Sequence, residues 1–130
     1  MDVQSESPLY RKALGCLVGG LIGDAMGTPT EGMTYGEVVA TFGWVDEFSC
    51  DGTDDTVMRD LLARALVRTG GYATLDHWAQ EWLDDWQAIF GGKVSKFFIS
   101  VLHTAQKLKR HTVPRMAALG NMPSSSSAMC

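Results

Sequence analysis

Thiols and imidazoles are scarce in this sequence. Its 130 residues hold three cysteines (Cys16, Cys50, Cys130) and three histidines (His77, His103, His111). The cysteines are odd in number and widely spaced, so they make no disulfide framework. No histidine falls at a Cys/His spacing, which argues against a zinc site. Long hydrophobic runs are missing as well, and no segment is apolar for long enough to span a bilayer as a helix. Positive charge is in deficit: 11 Lys and Arg stand against 15 Asp and Glu, for a net charge of −4. With a pI near 5.2, that balance argues against nucleic acid or an anionic membrane as partner. The opening Met1-Asp2-Val3-Gln4-Ser5-Glu6 is acidic and polar, unlike a secretory signal, so the expected setting is cytoplasmic. No strand pattern of useful length occurs, and there is no internal repeat or interior linker.

What is present is helical periodicity in a chain long enough for one domain with a modest core. Ser7 and Pro8 open a first helix as N-cap and first helical residue, and it runs from Leu9 to about Ala25. Ala13, Gly15, Gly19, Gly20 and Gly23 in that helix predict close approach by neighbouring helices, with Leu14, Leu17, Val18, Leu21 and Ile22 in the core. It is expected to be the central helix. Thr34 and Glu37 form a capping box for a short second helix through Val38, Val39 and Phe42. Met58, Leu61, Leu62, Ala65 and Leu66 mark one face of a third helix, closed by Gly70-Gly71. A fourth begins at Leu75 or Asp76, its Trp78, Trp82 and Trp86 read as core. A fifth, Ser95 to about Lys109, buries Phe98, Val101, Leu102 and Ala105, with His103 packed on or beside that face. Thr112-Val113-Pro114 starts a short sixth helix that Gly120 ends. The fold class is all-α.

The stretch with most chemical content is Gly52-Thr53-Asp54-Asp55-Thr56. A hydroxyl and two carboxylates lie where a loop turns into the third helix, and their oxygens can converge in front of it. Such hard donors suit Mg²⁺ or Mn²⁺. On local pattern alone, ordinary N-capping with acidic residues in the first turn is the better reading. Glu31, taken alone, reads as a solvated loop carboxylate, and Asp24 as a helix-end structural residue.

Three islands in order carry a resemblance. They are Gly15-Cys16-Leu17-Val18-Gly19-Gly20-Leu21-Ile22-Gly23-Asp24-Ala25-Met26-Gly27 with Glu31-Gly32, then Gly52-Thr53-Asp54-Asp55-Thr56-Val57-Met58, then Gly120-Asn121 with Ala128-Met129. Together, from Leu14 to Met129, they resemble the ADP-ribosylglycohydrolase family. The resemblance implies an orthogonal multi-helix bundle with a centre of two Mg²⁺ or Mn²⁺ ions. It implies metal ligation by Thr53, Asp54 and Asp55, and a catalytic place for Glu31 beside metals and ribose, as base, water orienter or gate. It places Gly120, Asn121 and the serines Ser125, Ser126 and Ser127 against the substrate's phosphates. The implied partners are an ADP-ribosyl or ribosyl-type molecule or a modified protein.

The chain also departs from the pattern. A downstream Asp-x-Asp-Thr-like ligand motif is absent, so residues 1–130 are expected to be the N-terminal portion of a single helical domain, holding part of the metal site. The remainder of that domain, or a second copy, is then expected to cover its open apolar faces. Met122-Pro123 and four serines follow Gly120-Asn121, and Cys130 stands where arginine is usual. That weakens a diphosphate clamp and leaves a nucleoside-like N-glycoside open as alternative substrate. A non-catalytic, crystallin-like relative is the other alternative.

Overall fold

The computed structural model describes residues 7–48, 51–87 and 99–117. Among them the regular structure is helical and no strand occurs, as expected for an all-α chain. The chain divides into two compact units, Met1–Thr53 and Asp54–Cys130, and the division falls inside the Thr-Asp-Asp run.

The first unit holds α1 (Pro8–Gly27), a single 3₁₀ turn (Thr28–Thr30) and α2 (Tyr35–Phe42). Ser7 caps α1 by accepting from the Tyr10 N–H at 3.1 Å, and Pro8 occupies the first turn where its missing N–H costs nothing. The helix runs two residues past the expected Ala25. The Thr34–Glu37 capping box is complete: the Thr34 N–H and hydroxyl both donate to Glu37 at 2.7 Å, and the Glu37 N–H donates to the Thr34 hydroxyl oxygen at 3.4 Å. These bonds, the backbone one first, hold the Glu37 carboxyl below its ordinary range.

The burial expected along α1 is not seen among the described residues. Leu14, Leu17, Val18 and Ile22 are exposed, and Ala25 is the buried residue of the helix. A Cβ built at Gly15, Gly19 or Gly23 meets nothing within 4 Å. The small residues permit close approach, but among the described residues no neighbour makes it.

The second unit carries α3 (Asp54–Arg68), α4 (Leu75–Asp84), α5 (Ile99–Lys109) and α6 (Pro114–Ala117). Its core joins Met58 and Leu61 of α3, Ala79 and Trp82 of α4, Val101, Ala105 and Leu108 of α5, and Ala117 of α6. The tryptophan stripe is core, as read. Trp82 is buried, Trp78 meets it edge-on at 5.9 Å, and Trp86 packs against the cluster under the Lys109 ammonium. His103 is exposed rather than packed, because it lies between the buried positions Val101 and Ala105 and faces out. The expected start of this helix at Ser95, with Phe98, lies outside the described residues, as do Ile89 and Gly120.

Both long helices of this unit end in the same way. At α3, the Gly71 N–H reaches back to the Leu66 carbonyl at 2.8 Å, with Gly70 in the left-handed region. At α5, the Thr112 N–H reaches the Lys107 carbonyl at 3.0 Å, with His111 at φ 62 in the place usually taken by glycine.

An ion-pair clamp joins α3 to α4. Glu81, only 2% exposed, lies 3.0 Å from Arg68 Nε and 3.8 Å from Arg64 Nε, the closer pair outside hydrogen-bond alignment. Arg68 donates to Asp84 at 2.8 Å, and Arg64 donates to Asp85. The Arg68 bond, then that from Gln80, holds the Asp84 carboxyl below its ordinary range; reciprocally, Asp84 raises Arg68.

Candidate active site

Gly52 at φ 91 turns the backbone into Thr53. There the chain is fastened to the last turn of α1. The Thr53 N–H donates to Asp24 Oδ2 and the Thr53 hydroxyl to Asp24 Oδ1, both at 2.7 Å. One carboxylate thus takes a backbone and a side-chain proton from the same residue, two charge-assisted bonds that fix Thr53 in position and rotamer. A threonine hydroxyl has a single proton, and here Asp24 receives it.

The main-chain oxygen of Asp24 is also engaged, accepting from the Thr28 N–H and, at 2.8 Å, from the Thr28 hydroxyl. Thr30 donates to the Gly27 carbonyl at 2.8 Å. These bonds use the carbonyls that α1 leaves open at its end and set the following turn. Glu31 stands at the corner of that turn. Its φ of −58 and ψ of 129, a Gly32 φ of 77, and a Met33 N–H to Thr30 carbonyl bond of 3.0 Å are the features of a type II turn. Glycine at position 32 is required there, and Glu31 is presented to solvent.

Asp54 and Asp55 are the first two residues of α3, where the helix dipole favours negative charge. Asp54 is 4% exposed, Asp55 half-buried and Thr56 buried. The donor chemistry of Thr53, Asp54 and Asp55 fits a hard divalent cation. Among the described residues no three His, Cys, Asp or Glu side chains gather to hold one. Gly120, Asn121, Ser125, Ser126 and Ser127, together with Cys130, lie outside the described residues.

The Asp24–Thr53 clasp is the element that sequence reasoning missed. A signal was available: Asp24 sits in the last turn of α1, the end where the dipole disfavours a carboxylate. A charge at the unfavourable end of a helix points to a partner elsewhere.

The family model for ADP-ribosylglycohydrolase matches residues 5–129. The chain belongs to the ADP-ribosylglycohydrolase family. A curated relative, the uncharacterized protein YegU of Escherichia coli (strain K12), is 39% identical over 74 residues, a match covering 46% of this chain and 22% of the relative. The chain thus spans about a fifth of the length of the curated relative it matches. No solved structure matches. The reaction class of the family is hydrolysis of a glycosidic bond.

Proposed function

We propose that the intact protein is a divalent-metal-dependent glycohydrolase of the cytoplasm, cleaving a ribosyl N- or O-glycosidic bond of ADP-ribosylated protein or a related ADP-ribose compound. Residues 1–130 belong to one glycohydrolase domain in this reading. The Thr53 hydroxyl and the Asp54 and Asp55 carboxylates hold Mg²⁺ or Mn²⁺, and further ligands from outside this run complete a two-ion centre. When bound, the ions supply Lewis acidity and fixed coordination for ribose hydroxyls or water.

The protein's own residues have separable tasks. Asp24 holds Thr53 in position through its N–H and hydroxyl. Glu31, on its exposed turn corner, orients the attacking water and takes its proton. The bond from ribose C1 to the leaving nitrogen or oxygen breaks with oxocarbenium character, the water oxygen bonds to C1, and the leaving atom gains a proton. Loop N–H groups and hydroxyls at Gly120, Asn121, Ser125, Ser126 and Ser127 meet the phosphates.

The observation that carries this reading is the pair of hydrogen bonds from Thr53 to Asp24 directly before two aspartates, the first of them buried. A simple helix cap needs neither the clasp nor the burial. The test is hydrolysis of an ADP-ribosylated peptide by the intact protein in Mg²⁺, compared with Asp54→Asn and Asp55→Asn. Loss of turnover with an unchanged helical circular dichroism spectrum is expected. Full activity in both variants would reduce the run to helix capping.

A further inference from the structure

A second feature of the first unit lies in the stretch after α2, which the proposed chemistry does not use. Gly43, at φ 66, ends α2 by donating to the Val39 carbonyl at 3.0 Å, and its positive φ turns the chain. Residues 44–48 then line an open groove of about 450 Å³ with Pro29 and Phe42. Trp44 is 84% exposed, Phe48 66% and Phe42 41%. Asp46 and Glu47 line the same groove, and none of its described lining residues is basic. Aromatic surface and carboxylates are thus concentrated in one place, with no cation from the lining to satisfy them.

We propose that this groove docks an arginine side chain carried on a basic segment of a partner protein. The chemistry selects that occupant. A guanidinium is planar and weakly hydrated, so it stacks on an indole face while its edge donates to carboxylates. A purely apolar occupant would strip water from Asp46 and Glu47 without replacing their hydrogen bonds. An anion would meet two like charges. The net charge of −4 adds long-range attraction for a basic segment.

The probe is a blocked peptide, acetyl-Gly-Arg-Gly-Arg-Gly-amide, with the citrulline peptide as a neutral match of the same shape. Each is titrated into the protein while the Trp44 indole N–H is followed by nuclear magnetic resonance, the signal being assigned from its loss in Trp44→Leu. The arginine peptide should shift that signal saturably, and the citrulline peptide should bind about fivefold more weakly or worse. Replacing both carboxylates, Asp46→Asn with Glu47→Gln, should weaken the arginine peptide by a similar factor, and so should about 0.5 M salt. All three side chains are exposed, so these changes leave the core intact. An unmoved Trp44 signal, equal binding of the citrulline peptide, or binding indifferent to the double substitution would overturn the proposal.

Discussion

Asp24 stands at the end of its helix where a carboxylate is least welcome, and two short bonds to Thr53 compensate for it. Asp24→Asn would keep the shape but lose the charge, and turn an amide toward a donor. It should cost about 2 kcal/mol in urea unfolding, the scale of a hydrogen bond to an ionised group. It should also slow hydrolysis, since Thr53 would no longer be fixed. A variant with unchanged unfolding midpoint and unchanged turnover would show the clasp to be incidental. Gly32 is the other residue with an outsized role. Gly32→Ala forces a side chain into the left-handed region, at a cost of roughly 1 kcal/mol, and should displace Glu31 and lower kcat. Gly36→Ala, inside α2 with open space around its Cβ, should instead stabilise by roughly 0.5–1 kcal/mol. Equal effects of the two substitutions would contradict the turn assignment.

Among the elements, the pair α3–α4 is the most strongly specified. Periodicity located both helices, because their apolar and tryptophan residues recur at helical spacing, with Gly70-Gly71 closing the first. The box at Thr34 was legible because threonine and glutamate are its ordinary members. The box at Thr74 was not, because His77 fills the acidic position: the Thr74 N–H donates to His77 Nδ1 at 3.1 Å and the His77 N–H to the Thr74 hydroxyl oxygen at 3.4 Å. Nor was the ion-pair clamp legible, since it joins residues of two helices whose crossing no local pattern defines. The clamp carries a pH dependence. Asp84 titrates below its ordinary range in the folded state, chiefly through the Arg68 bond. Its contribution is therefore present above the ordinary carboxylate pKa and drains away as pH falls through the lowered folded value. The melting temperature should drop between neutral pH and about pH 3, and less steeply in Asp84→Asn. Identical slopes for the two proteins would remove Asp84 from the clamp.

At the scale of the molecule, α1 is the helix whose expected burial the described residues do not show. Its leucines and glycines read as a buried centre, yet the described residues leave Leu14, Leu17 and Val18 exposed. Amphipathic pattern and small residues report what a helix can pack against, not what lies beside it. Gly19→Ala discriminates directly. With open space at its Cβ it should stabilise the protein by about 0.8 kcal/mol, whereas destabilisation would mean that a close neighbour covers this face. The candidate site was legible in its residue types and in its order along the chain. Its geometry was not, because the Asp24–Thr53 bond spans 29 positions.

The central claim, that Thr53, Asp54 and Asp55 form a divalent-cation site, is tested most directly by Mn²⁺ titration of the intact protein, followed by electron paramagnetic resonance of the free ion. Saturable binding is expected, displaced by Mg²⁺ and weakened about tenfold or more by Asp54→Asn or Asp55→Asn, on the scale of a lost charged contact. Mn²⁺ binding of equal strength in the wild-type protein and both variants, or no saturable binding at all, would contradict it.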